Sequence, residues 1–252
     1  MFRSWDVHLP ADIEVVSIQL PGRENRVHEP ACRSVEVLAA KLARVLAPEL
    51  DRPFAIFGHS MGGLVAFELA RNLRRAGGAE PRRLIVSGHG GPRRSPSLPL
   101  ISAAADAEVL ARLRRLGGTP EEALRDEQLM AIVLPLFRAD LAVCETYAYA
   151  AEDPLGCPIS AYGGTLDKDV RRQDLGAWQA ESRGPIRVRM FPGGHFFIRE
   201  SMDRVMEAIG EDLAEPGDPV LTRECVMGTK PRATFGAPGM KSSPGRKHEE
   251  TA

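Results

Sequence analysis

The stretch Phe54-Ala55-Ile56-Phe57-Gly58-His59-Ser60-Met61-Gly62-Gly63 sets a Gly-x-Ser-x-Gly pentapeptide between a short apolar run and the helical pattern Leu64-Val65-Ala66-Phe67-Glu68-Leu69-Ala70. The order predicts strand, sharp turn, helix. A serine hydroxyl attacks well only when a base reaches its proton and a carbonyl reaches its oxygen, so it must stand clear of the backbone on a tight turn. Gly58 and Gly62 are expected to leave room for the strand and helix to pack around that turn. Ser60 then sits at the start of the helix, where the first N–H groups have no intrahelical acceptor, and the N–H of Met61 can face the negative oxygen of a tetrahedral intermediate. The plain alternative is a flexible turn carrying a solvated serine.

The 252 residues suffice for one sizeable α/β domain with decorations, whereas two full domains would be cramped. With 33 basic and 34 acidic residues, nothing global favours nucleic acid or an anionic membrane as a partner. Cys32, Cys144, Cys157 and Cys225 are scattered, with neither a CxxC pair nor metal-like spacing to histidine, and read as reduced thiols of a cytoplasmic protein. No apolar run approaches the ~20 residues needed to cross a bilayer. The start Met1-Phe2-Arg3-Ser4-Trp5-Asp6 lacks a signal-peptide apolar core.

In chain order, Ile13 to Leu20 is β-branched and partly alternating, is stopped by Pro21-Gly22, and predicts a strand. The loop Arg23-Glu24-Asn25-Arg26 reads as a solvated charged turn. Ser34 or a neighbour opens a helix through Leu50, with Val35, Leu38, Leu42, Val45 and Leu46 as its apolar stripe. The serine strand and helix follow, ended by Gly77-Gly78 and Pro81, and then a buried parallel strand, Arg83 to Gly88. This alternation argues for a parallel sheet flanked by helices. From Pro92 to about Ala151 no strand is predicted, only helical segments at Ala104 to Leu116, Pro120 to Arg125 and Glu127 through Tyr149, softened at Pro135. Such an insertion leaves the C-terminal edge of a sheet, where ligands bind, and fits a lid; ordinary helix packing is the alternative.

The sheet is expected to resume with Cys157 to Tyr162, turning at Gly163-Gly164 into Thr165-Leu166-Asp167-Lys168-Asp169-Val170. A helix near Asp174 to Ala180 leads to the last strand, Ile186 to Phe191, then to Pro192-Gly193-Gly194-His195-Phe196-Phe197 and a helix from about Glu200 to Leu213. Residues 214–252 are rich in Pro, Gly, Ser, Thr and Lys without apolar period, and read as a disordered tail.

A serine nucleophile needs a base, and the base an orienting carboxylate. Asp167 and His195 each follow a predicted strand, which brings both to the edge holding Ser60, and the order Ser60, Asp167, His195 is that of α/β-hydrolases. Asp169, two residues on, is the other candidate acid. Of the six histidines, only His195 has a glycine-rich loop with a strand before and a helix after. His59 reads as structural, and His8, His28 and His89 as loop residues.

The motifs Gln19-Leu20-Pro21-Gly22-Arg23-Glu24-Asn25-Arg26, Gly58 to Gly63, Leu116-Gly117-Gly118-Thr119-Pro120, Glu145-Thr146-Tyr147, Gly163 to Asp167 and Pro192 to Phe197 jointly resemble the type II thioesterases that accompany polyketide and nonribosomal peptide synthetases, which are stand-alone α/β-hydrolases. The resemblance covers Phe2 to about Leu213. It implies hydrolysis of acyl groups held as thioesters on the phosphopantetheine arm of acyl or peptidyl carrier proteins, clearing stalled or misprimed synthases. It places the acid at Asp167 and makes the insertion, about 92–151, a lid over an acyl channel. A monomer without cofactor or metal is expected, the phosphopantetheine arriving on the substrate.

Two departures stand out. Lys168 follows Asp167 where relatives usually carry proline, which is expected to loosen the turn that aims the carboxylate. No Phe-Pro-His-Ala-Gly-Gly-type loop precedes Arg3-Ser4-Trp5, although in the family that loop supplies the second oxyanion N–H, and one such donor is worth on the order of 100- to 1000-fold in rate. A start upstream of Met1 is the expectation; a weakened or inactive carrier-binding relative is one alternative, and a general carboxylesterase another.

Overall fold

A computed structural model of the chain describes residue 2, residues 4–93 and residues 100–214. The tail expected over 214–252 lies outside the described residues apart from Ala214, and Cys225 lies outside with it.

Helix α1 (Val35–Leu46) is opened by the Ser34 hydroxyl, which accepts from the Val37 N–H at 3.2 Å, an N-terminal cap that satisfies one otherwise unpaired donor. A 3-10 turn (Ala47–Glu49) with Pro48 inside it ends the helix short of Leu50. Val35 and Leu38 are buried as the stripe requires, but Val45 is exposed. The serine strand is β1 (Ala55–His59), its helix α2 (Met61–Arg75) and the next strand β2 (Arg83–Ser87). Helices α3 (Asp106–Leu116), α4 (Glu121–Arg125) and α5 (Glu127–Glu145) form the insertion. Then come β3 (Ile159–Gly164), α6 (Arg172–Gly176) continuing into a 3-10 turn, β4 (Arg187–Phe191), α7 (Phe197–Glu200) and α8 (Met202–Ala214).

Among the described residues the four strands form one parallel sheet in the order β1-β2-β3-β4. Its period-2 alternation sorts the core. Leu84, Val86, Ile159 and Ala161 face Phe67 and Ala70 of α2 together with Trp178, whereas Ile85, Tyr162 and Phe191 face Val205 and Ile209 of α8 with Phe197 and Trp5. The insertion buries a cluster of its own, Val109, Leu113, Leu124, Met130 and Leu134. No helix among the described residues is long and apolar enough to cross a membrane.

Three expectations need correction. Ile13 to Leu20 forms no strand. β-branched residues favour the extended shape locally, while a strand exists only when a neighbour shares its ladder; Val16 is 70% and Ile18 43% exposed. Helix α5 stops at Glu145 rather than Tyr149, and the tyrosines beyond are drawn to buried carboxylates. Tyr147 donates to Glu68 Oε1 at 2.8 Å, and Tyr149 to Glu181 Oε2 at 3.0 Å. Finally, Gly163 and Gly164 belong to β3 rather than forming the turn after it.

Candidate active site

The sharp turn at Ser60 is built by close approach. A Cβ on Gly58 would lie 2.0 Å from the Gly62 carbonyl oxygen and 2.8 Å from the Ala66 Cβ, so strand β1 and helix α2 meet at this distance only with glycine there. At Gly62, by contrast, a Cβ would meet nothing within 4 Å. The room attributed to both glycines is therefore needed at Gly58 alone. Between them Ser60 takes φ 54° and ψ −121°, a strained conformation for a side-chain-bearing residue. It is held there by its N–H, which donates to the Ser87 carbonyl at 2.7 Å, and by its own carbonyl, which accepts from the Gly63 N–H at 2.8 Å. Met61 opens α2, so its N–H has no intrahelical acceptor.

Asp167 lies three residues past β3 and His195 four residues past β4. Their two loops are stitched together by main-chain bonds, Thr165 N–H to the Phe191 carbonyl at 2.8 Å and Leu166 N–H to the Gly193 carbonyl at 2.9 Å. At Gly164 a Cβ would fall 2.2 Å from the Gly194 oxygen, so the glycine pair ending β3 permits the approach. The result is a continuous chain of side chains: His195 Nε2 lies 2.9 Å from Ser60 Oγ, and His195 Nδ1 lies 2.8 Å from Asp167 Oδ2. His195 is 6% exposed, and the Asp167 side chain is buried. Burial pushes the Asp167 carboxyl up, but the hydrogen bond from His195 and the main-chain N–H groups of Asp169 and Val170 outweigh it, holding the group below the ordinary carboxylate range. In the 2.8 Å bond to His195 a charged carboxylate is the natural acceptor for an imidazole N–H. The other candidate acid, Asp169, points its carboxylate at Arg112 and Arg115 of α3 instead.

His59 packs beside His195. Its ring lies 5.3 Å from that of His195, and its Nδ1 is 2.9 Å from Ser87 Oγ. Burial, reinforced by His195, pushes its pKa down to about 3, so it stays neutral beside His195. Sequence reasoning also passed over Asp140, Glu68 and Glu181. Arg23 of the charged loop pairs with Asp140 of α5, and Arg26 Nη1 donates to the Gln19 carbonyl at 2.7 Å, so the two arginines tie that loop to the insertion and to the segment before it, while Glu24 and Asn25 stay exposed. Glu68 of α2 accepts from Tyr147, from Arg71 at 2.6 Å and from Arg75 at 3.0 Å. A glutamate in the middle of the apolar helix pattern after the serine was the one available signal. Among the described residues Cys32 and Cys144 are free thiols, and no group of three or more His, Cys, Asp or Glu side chains is placed to hold a metal.

A parallel sheet with a serine elbow after one strand, and an acid and a histidine after two later ones, is the α/β-hydrolase architecture. Comparison with known proteins narrows this. The model of the thioesterase domain matches residues 1–213. The gramicidin S biosynthesis protein GrsT of Aneurinibacillus migulanus is 40% identical over 216 residues, covering 84% of this chain and 83% of GrsT. Among solved structures, the RedJ thioesterase from the prodiginine pathway of Streptomyces coelicolor superposes with a TM-score of 0.79 at 34% identity, covering 84% of this chain and 80% of RedJ. The type II thioesterase BorB from the borrelidin biosynthetic cluster gives 0.71 at 38% identity, covering 78% and 80%. The chain belongs to the thioesterase family. Its enzyme class is thioester hydrolase.

Proposed function

We propose that the chain hydrolyses acyl thioesters carried on the phosphopantetheine arm of acyl or peptidyl carrier proteins, clearing stalled or misprimed polyketide or nonribosomal peptide synthetases. The carrying observation is the unbroken Ser60–His195–Asp167 hydrogen-bond chain, and the pathway setting rests on relatives named for such pathways. Ser60 Oγ attacks the thioester carbonyl while His195 Nε2 takes its proton. Asp167 holds the Nδ1–H tautomer and favours the imidazolium. The oxygen turns negative next to the Met61 N–H, which donates to it. Collapse expels the pantetheine thiolate, which receives the proton from His195 Nε2, leaving an acyl ester on Ser60. Water, deprotonated by the same nitrogen, attacks that ester, and its collapse returns the proton to Ser60 Oγ and frees the carboxylic acid. No cofactor enters these steps. The helical insertion, lying after β2, borders the acyl chain as a lid.

Acyl-loaded carrier protein incubated with the enzyme and with Ser60→Ala tests this reading. Release of free acid by the wild type alone is expected, and equal release by both would sink it. Presenting the same acyl group as a simple oxygen ester separates a carrier-directed thioesterase, which prefers the carrier thioester, from a general carboxylesterase, which does not.

A further inference from the structure

The loop carrying Asp167 is tied to the His195 loop through its main chain, but few of its apolar side chains are anchored. Leu166 is 71% exposed, Lys168 is exposed as well, and only at Val170 does a side chain of this loop return to the core. Yet the Asp167 carboxylate has to keep one orientation. Rotation about its terminal bond is soft, so its plane is set by hydrogen bonds as well as by burial. Two main-chain donors supply these bonds: the N–H of Asp169 reaches Asp167 Oδ1 at 2.9 Å and that of Val170 reaches it at 3.3 Å, leaving Oδ2 for His195. The shorter of these bonds belongs to the residue whose side chain is gripped from outside the loop. Arg112 Nη1 donates to Asp169 Oδ2 at 2.6 Å, and Arg115 Nη2 donates to Oδ1 at 2.9 Å. Arg112 and Arg115 stand three residues apart on one face of α3, so a single helix supplies both ends of the grip. The Arg112 and Asp169 side chains are only 23% and 20% exposed, which limits screening by water, whereas Arg115 at 56% is the weaker arm.

Resting on the assignment of Ser60, His195 and Asp167 as the catalytic triad, we propose that Asp169 is a positioning residue: clamped by Arg112 and Arg115 of the helical insertion, it holds the peptide N–H that orients the Asp167 carboxylate toward His195. The seating of α3 on the acid loop is thereby coupled to the chemistry. With α3 displaced, Asp169 is released, Asp167 loses its fixed plane, and His195 is less well held for proton transfer, although no residue that touches substrate has changed.

Steady-state hydrolysis of a soluble acyl-pantetheine thioester keeps carrier docking out of the measurement. Asp169→Asn and Arg112→Gln are each expected to lower kcat about tenfold with KM within about twofold, and to slow covalent labelling of Ser60 by a fluorophosphonate by a similar factor. Arg115→Gln should lose less. The double variant Arg112→Gln with Asp169→Asn should be no slower than either single one, because both remove the same clamp, and Arg112→Lys should recover part of the rate. Thermal unfolding of each variant accompanies the kinetics; if Asp169→Asn fails to fold, Arg112→Gln, on the partner helix, carries the test alone. Unchanged kcat and labelling, or losses that multiply in the double variant, would overturn the proposal. Ser60→Ala is run in parallel. If it keeps its activity, the triad assignment falls and the positioning role with it; if it is inert while Asp169→Asn and Arg112→Gln are fully active, only the positioning role falls.

Discussion

The sharpest consequence of the elbow geometry concerns the two outer glycines of its pentapeptide. Alanine at position 58 would put a methyl carbon 2.0 Å from the Gly62 carbonyl oxygen and 2.4 Å from its carbon, both main-chain atoms that no side-chain rotation can withdraw. To restore an ordinary contact of about 3.4 Å, β1 and the first turn of α2 must part by roughly 1.4 Å, in a region where cores tolerate overpacking poorly. Strain of about 3 kcal/mol follows, at the upper end for an inserted methyl, or a fall of about 6–12 °C in the unfolding midpoint for a chain of this size. Ser60 moves with the turn, and a misplacement of about 1 Å costs around 100-fold in rate. Gly62→Ala meets open space in the first turn of α2. There it should raise the midpoint by about 1–4 °C, because alanine loses less backbone entropy than glycine on entering a helix. Thermal unfolding and thioester hydrolysis of both variants give the comparison. A Gly58→Ala protein as stable and active as the wild type, or one matched in instability by Gly62→Ala, would refute the reasoning.

Two further outcomes follow from Glu68 and His59. Glu68→Ala leaves Arg71, a fully buried guanidinium, and the Tyr147 hydroxyl short of an acceptor. Because Arg71 keeps Glu152 at 2.8 Å, the loss should sit near the low end for a broken buried pair, roughly 3 kcal/mol by denaturant unfolding, and a cost under about 1 kcal/mol would contradict it. His59 is held neutral by burial and by His195, its pKa pushed down to about 3, whereas in the unfolded chain it titrates near 6.5. The unfolded state therefore binds the extra proton as pH falls from about 6.5 toward 3, and stability declines by up to about 1.4 kcal/mol per unit on this account. Unfolding of the wild type and His59→Gln between pH 7 and 4 should show a shallower decline in the variant; identical slopes would show that His59 is not the group responsible.

Much of the site could be read locally, for a physical reason. Ser60, Asp167 and His195 announce themselves because each occupies a strand-to-loop junction, and in a parallel sheet all such junctions fall on one edge. Pairing is different. Ile13 to Leu20 has the residues of a strand, but whether it joins a ladder is decided by what lies beside it, and that is not written in its own alternation. The end of α5 was misjudged for a related reason: the helical pattern runs on through Tyr147 and Tyr149, and only Glu68 and Glu181, about 79 and 32 residues away along the chain, draw them out of it.

From its sequence alone, then, the chain declares a parallel α/β sheet, a serine elbow, a histidine loop, a helical insertion and membership of a thioesterase family, since each depends on local periodicity, turn chemistry or short motifs. Tertiary structure settled the rest. It gave the Asp167 carboxylate to His195 and that of Asp169 to the arginines of α3, it assigned the necessity of glycine to position 58 rather than 62, and it bound Arg23 to Asp140. These are contacts between residues far apart in the chain, and the partner of a charge or the neighbour of a missing Cβ exists only once the chain has closed on itself.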